Sequence, residues 1–209
     1  MSANVPKISV QETVVSDALG QVAVRLTFQD RVHLRAHTLD SAAWLRYPSR
    51  MLQELKRDIL SGKMPIGEGI TRALPLFKGK LADHKVAYLV AEYQGYQTNA
   101  LDWYKHQSKE FPNYRVVPGT LKMMMIEDGS LADVKHSLAE RDQFFIAAPI
   151  AWVEEACGLG LDPTMIEMSE MGRAPQGIIV CVTAKSNAQK LLEIVKQSLL
   201  SFLDEADNL

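Results

Sequence analysis

Cysteine is nearly absent from this sequence. Only Cys157 and Cys181 occur in 209 residues, and their separation fits no metal-binding spacing. That excludes a disulfide-stapled secreted scaffold and a zinc ribbon, and two isolated thiols suit a reducing, cytoplasmic setting. No stretch approaches the roughly 18 apolar residues of a membrane span, and the opening MSANVPKISVQET has no apolar signal core. Neither sign of charge prevails. Lys and Arg number 23 against 25 Asp and Glu, a net charge of −2, which argues against a domain whose main task is to hold nucleic acid by its phosphates. The catalytic signatures GxxxxGK(S/T), GxSxG, HExxH and CxxC are missing, as are internal repeats and low-complexity tracts.

What is present is an ordinary globular composition. Hydrophobic residues make up 47% and charged residues 23%, enough to build a core in one large domain or two joined smaller ones. Periodicity predicts a mixed α/β, α+β chain. An amino-terminal antiparallel β-meander alternates through Ile8 and Val10, then Val22, Val24, Leu26 and Phe28, then Val32, Leu34 and Ala36. A helix from about Ser49 to Ser61 follows a break at Pro48, buries Leu52, Leu55 and Ile59, and stops at Gly62. The reading divides the chain into residues 1–61, a linker or mobile loop over 62–84 with a short helix around Ile70 to Phe77, and a mixed region over 85–209.

In that last region KVAYLVAEY reads as a buried strand and TNALDWYKHQSKEF as a helix capped by Thr98 or Asn99. YRVV and LKMMMIED read as strands, and SLADVKHSLAERDQFF as a helix with Ser130 at its N-cap and Leu131, Val134, Leu138 and Phe145 on its inner face. QGIIVCVTA is a buried strand and SNAQKLLEIVKQSLLSFL a strong helix. The alternation predicts at least one βαβ unit. The last helix is apolar on more than one face, through Leu191, Leu192, Ile194, Val195, Leu199, Leu200, Phe202 and Leu203, so it is buried on several sides by its own domain or by a second subunit.

PIAWVEEACGLGLDP sets a cysteine behind two glutamates and before Gly-Leu-Gly. Pro149 suits a first helical turn, Gly158 a left-handed cap with Leu159 as its apolar contact, and Ile150, Val153 and Cys157 share one face. At the negative end of a helix, beside Glu154 and Glu155, Cys157 is disfavoured as a thiolate and reads as a structural thiol. GLGLDP lacks the third glycine of a dinucleotide fingerprint, and Asp162-Pro163 reads as the start of another short helix.

Two surfaces are candidates for binding. On a strand, Arg31, His33, Arg35 and His37 share one face, suited to phosphates or an acidic partner and equally to plain solvation. Two histidines at i and i+4 on a strand lie roughly 13 Å apart, too far to share a metal ion. At the junction AEYQGYQTNALDWYKH, Tyr93, Tyr96, Trp103 and Tyr104 are joined by Lys105 and His106, aromatics beside cations that suit a flat ligand or a partner's side chain. Met165, Met168 and Met171, three apart, admit a Cu(I) reading but are more simply core filler or an adaptable interface. Glu92 with Asp83, and Glu127 with Asp128, are the carboxylate pairs on which a metal-dependent hydrolase would rest.

The expectation is a non-catalytic protein-interaction or assembly protein that associates with itself, with a protein partner, or both. No catalytic residue, cofactor, metal or membrane contact is expected. The alternative is a nucleic-acid or nucleotide binder using the basic strand and the aromatic junction; the third is the hydrolase.

Overall fold

The structure, a computed structural model, describes residues 13–16, 22–25, 41–106, 111–135 and 137–209. The chain divides into two units, residues 1–40 and 41–209. In the first, β1 (Thr13–Ser16) and β2 (Val22–Arg25) pair antiparallel with Thr13 opposite Arg25, two of the expected meander strands. The expected third strand, with Arg31, His33, Arg35 and His37, lies outside the described residues.

The second unit runs α1 (Ser41–Leu60), α2 (Ile66–Phe77), α3 (Asp83–Gln94), α4 (Gln97–His106), β3 (Val116–Pro118), β4 (Thr120–Met125), β5 (Leu131–Asp133), β6 (Gln143–Phe145), α5 (Ile150–Gly158), β7 (Thr164–Glu167), β8 (Arg173–Ala174), β9 (Gly177–Thr183) and α6 (Lys185–Asp207). The chain is a mixed α+β fold. Its larger sheet has the order β5-β4-β9-β7, with β8 also on β9, and β3 pairs with β6. Every described pairing is antiparallel, so strand–helix–strand order does not produce the parallel crossover unit that alternation suggested.

The carboxy-terminal helix is the scaffold. α6 packs against α1, α2, α3 and α5 and buries Ala188, Leu191, Val195, Leu199, Leu200, Leu203 and Ala206. Most of its apolar surface is therefore covered by its own domain, while Ile194 stays exposed. Polar ties fasten its end to α1 and α3: Ser49 and Gln53 donate to Asp207, and Lys56 and Lys85 pair with Asp204 and Glu205. Among the described residues no helix is long and apolar enough to cross a membrane.

Several expected elements take another form, each for an identifiable reason. α1 passes through Pro48; a missing N–H and a ring cost a helix about 3 kcal/mol, which packing of Leu52, Leu55 and Ile59 outweighs. The expected stop holds, with Gly62 at φ +71. Residues 62–84 contain the whole of α2, with Ile66, Ile70, Ala73 and Phe77 buried. Its first amides, Ile66 N and Gly67 N, donate to the two oxygens of Glu154 at 2.5 and 2.9 Å, a cap supplied from α5. KVAYLVAEY is α3, not a strand. A short continuous apolar run cannot separate the two, and Ala, Leu and Glu favour helix.

The segment from Ser130 holds β5 and β6 rather than a helix. Gly129 at φ +68 and Asp128 accepting the Ser130 amide at 2.9 Å turn the chain back onto β4. α5 begins after Pro149 and buries Ile150, Val153 and Cys157 as expected, but runs through Gly158. Gly160 takes the left-handed position at φ +75, and Leu159 is exposed. Asp162-Pro163 leads into β7, not a helix, so Met165 lies on a strand, Met168 is buried, and Met171 closes a 3₁₀ turn over Ser169–Met171. The three share no helical face.

Register sorts the larger sheet into two faces. Leu121, Cys181 and Ile166 stand opposite one another and, with Ile179, enter the core. Met124, Met165, Ile178 and Val182 are half-buried and lie outside that core.

Candidate functional site

The densest polar chemistry lies where α3 meets the segment before β3. Glu92 and Arg115 are both fully buried and form a bidentate pair, Arg115 Nη2 to Oε2 at 2.6 Å and Nε to Oε1 at 3.3 Å. Arg115 Nη1 donates to the carbonyls of Ile146 and Ala148 at 2.7 and 2.8 Å, so four of the five guanidinium donors have acceptors. The guanidinium also lies 4.8 Å from the Tyr96 ring centre. Tyr96 and Tyr114 donate to Glu92 Oε1 at 2.8 and 2.6 Å. Tyr114 has one proton and gives it to Glu92, so across the 3.0 Å contact the Tyr88 hydroxyl is the donor. Burial, then the Glu92 carboxylate, raise the Tyr96 and Tyr114 hydroxyls above the ordinary tyrosine range, so both remain donors at neutral pH.

This cluster is closed. Both carboxylate oxygens and most guanidinium donors are matched inside the protein, which is how a buried ion pair holds elements together. The Tyr96 amide donates to the Ala147 carbonyl at 2.7 Å, and Ile146 N to the Arg115 carbonyl at 2.8 Å, so α3, Arg115 and residues 146–148 form one knot. Gly95 belongs to it: at φ +81, a Cβ there would meet the Ala147 oxygen at 2.6 Å. Glu92 was visible as one charge in an apolar run; Arg115, Tyr114 and Tyr88 carried no comparable signal.

The aromatic junction is divided between core and surface. Trp103 and Tyr104 are 8% and 5% exposed. Trp103 stacks on Phe145 with centroids 5.8 Å apart, and the Tyr104 hydroxyl accepts the Phe145 amide at 3.1 Å. Tyr96 is half-buried at Glu92, whereas Tyr93 is 44% exposed. Lys105 is exposed, 3.9 Å from Asp102. The side chain of His106 lies outside the described residues, as do Arg31, His33, Arg35 and His37. A cleft of about 510 Å³ is lined by Trp103, Asn113, Val116, Arg141, Asp142 and Gln143. Trp103 reaches it beside Phe145, so its aromatic surface is engaged within the fold.

The remaining chemical groups of the described residues have structural settings. Burial and then Glu154 raise the Cys157 thiol, Lys185 opposing, and burial pushes Cys181 up to about 12. Glu154 has a definite structural task in capping α2. Glu127 and Asp128 are exposed at the hairpin turn, where Asp128 holds the Ser130 amide. No group of three or more metal-ligating side chains occurs among the described residues.

A second concave surface lies along α3. Asp83, Val86, Ala87, Val90, Ala91 and Gln94, with Gly95 and Tyr96, line an open hollow of about 500 Å³. At 100° per residue these six side chains form one stripe opposite the buried Leu89 and Glu92. Val86 packs against the core, whereas Ala87, Val90 and Ala91 lie outside the core cluster of the described residues.

Compared with protein-family models, curated proteins and solved structures, the chain matches none.

Proposed function

We propose that this protein is a non-catalytic assembly protein that associates with copies of itself. The observation that supports the reading is one face of α3: Ala87, Val90 and Ala91, beside the core-packed Val86, lie outside the core cluster of the described residues, between the polar ends Asp83 and Gln94. A helix with apolar residues on both sides is ordinarily covered on both. The closed state of the Glu92–Arg115 knot supports the non-catalytic half, since its polar groups are matched within the chain rather than turned toward a substrate.

Native mass spectrometry of the purified chain, with its 260/280 nm absorbance ratio, tests this. The expected result is a dimer or larger assembly without additional bound mass. A monomer carrying a nucleotide or oligonucleotide would replace the proposal with the nucleic-acid alternative.

A further inference from the structure

The cleft beside Trp103 shares no lining residue with the α3 hollow, and its chemistry goes beyond the assembly reading without resting on it. Its volume of about 510 Å³ falls in the range of small-molecule sites, roughly 300–1,000 Å³. Val116 stands opposite Phe145, and side chains alternate along a strand, so Val116 and Gln143 share the face of the β3–β6 pair on which Trp103 stacks. The chain beside them is pinned. Arg141 N donates to the Leu138 carbonyl at 3.1 Å, and the Asp142 carbonyl accepts the Gly119 amide at 3.0 Å.

Arg141 is the informative residue. It is half-buried, its Nη2 donates to the Tyr104 carbonyl at 3.0 Å, and its guanidinium lies 5.7 Å from the Tyr104 ring centre. Its Nε and Nη1 have no acceptor among the described residues, and no described carboxylate pairs with it. Among the described residues the buried polar side-chain atoms without a partner are those of Ser169 and Glu170, so these donors stay accessible on a residue that lines the cleft. A guanidinium partly withdrawn from water, held at one nitrogen and open at the others, is suited to receive a carboxylate. Asp142 follows it in the chain, exposed, in the same cleft, and also without an ion pair among the described residues.

The cleft thus presents one cation and one anion that do not neutralise each other, beside the apolar Trp103 and Val116. A simple anion would meet Asp142 as a like charge, and a simple cation would meet Arg141. A zwitterion satisfies both. The Trp103 rings are already taken by Phe145 and Tyr104, which leaves a wall for an aliphatic group rather than a face for a stacked ring. We infer that this cleft binds a free α-amino acid with an apolar side chain, Arg141 receiving the carboxylate and Asp142 the ammonium group. Asn113 and Gln143 are exposed in the same cleft, with amides able to bond either group.

A proton–nitrogen NMR titration of the full chain with leucine, leucinamide and isocaproate separates the two charges, since the amide lacks the carboxylate and isocaproate lacks the amine. Leucine is expected to give saturable shifts at Asn113, Val116 and residues 141–143, and the other two to bind at least about ten-fold more weakly. Asp142→Asn, at an exposed position, is expected to bring isocaproate up to the affinity of leucine. Arg141→Met is expected to lose both. Because Arg141 also holds the Tyr104 carbonyl, circular dichroism checks that variant's fold, and the three ligands on the parent chain decide the matter if it is altered. No saturable shift with any of them up to about 10 mM, where a 1 mM site is about 90% full, would overturn the site. Leucinamide or isocaproate binding as tightly as leucine would overturn recognition of a zwitterion. Leucine binding unchanged in both variants would overturn the roles of Arg141 and Asp142.

Discussion

Glu92 and Glu170 are both acids taken out of water, and the fold treats them in opposite ways. Glu92 has Arg115, Tyr96 and Tyr114 on its oxygens. Glu170, in the 3₁₀ turn between β7 and β8, has both carboxylate oxygens buried with no hydrogen-bond partner from another described residue, and the buried hydroxyl of the neighbouring Ser169 likewise has none among the described residues. The carboxyl of Glu170 is pushed up to about 7, by burial first, opposed by its own backbone N–H, and then by Glu167. Depth alone therefore says little about a buried charge. Glu92 ties three segments together because donors converge on it, whereas no other described residue donates to Glu170, and its turn is expected to respond to pH.

The largest expected effect comes from removing the donors of Glu92. Arg115→Met leaves a carboxylate in the core with only two phenols, and should cost about 3–5 kcal/mol in urea unfolding. The double variant Glu92→Leu/Arg115→Met removes the stranded charge and should recover part of that loss. Recovery stays incomplete because the Tyr96 and Tyr114 hydroxyls and the Ile146 and Ala148 carbonyls keep their need for partners. A loss below about 1 kcal/mol for Arg115→Met would erase the distinction between the two acids.

The legible parts of the fold were those whose signals are local. Leu52, Leu55 and Ile59 repeat at helical spacing and are buried; Gly62 ends that helix; β9 and α6 stand where an apolar run and a long amphipathic pattern place them. The burial of Cys157 also followed from its neighbours. What was lost depended on distant contacts. α2 resembles a glycine-rich linker because Gly67 and Gly69 are in it. Those glycines admit Ala151 and Ile59 at distances a side chain would block, and the cap arrives from Glu154 far along the chain. The apolar run of α3 suggests a strand at period two, and the face from Asp83 to Gln94 exists only at helical periodicity. The partner of Glu92 lies 23 positions away and no spacing rule joins them.

Glu170 supplies the second prediction, and its sign runs opposite to that of a salt-bridged acid. Its folded value, about 7, lies above the ordinary 4.5. Below pH 4.5 the group is neutral in both states and its full contribution is present. Between pH 4.5 and 7 the unfolded chain ionises while the folded one resists, so stability falls as pH rises and levels off above 7. The loss should reach on the order of 3 kcal/mol. Glu170→Gln should flatten that slope and leave the protein more stable than its parent at pH 8, as read from urea midpoints across pH. Titratable and charged groups facing the turn from its described neighbours are few: Glu167 on β7, the neutral Tyr104 and Cys181, and Arg141 against the Tyr104 ring. A slope identical in parent and variant would assign the pH dependence elsewhere.

The smallest effect tests how evenly the load on Glu92 is shared. Tyr114→Phe keeps the ring and removes the 2.6 Å donor, and with it the acceptor for Tyr88. Arg115 still neutralises the carboxylate, so the cost should be that of one hydrogen bond to a charged group, about 1.5–3 kcal/mol, and smaller than for Arg115→Met. Tyr88 can turn its proton toward Ser198 Oγ, 3.4 Å away on α6, which limits the loss further. The informative quantity is coupling: Tyr114→Phe measured in the Glu92→Leu/Arg115→Met background should cost clearly less than in the parent, because the carboxylate it served is gone. Equal costs in both backgrounds would mean that Tyr114 acts through packing, and that the knot around Glu92 consists of the ion pair and Tyr96 alone.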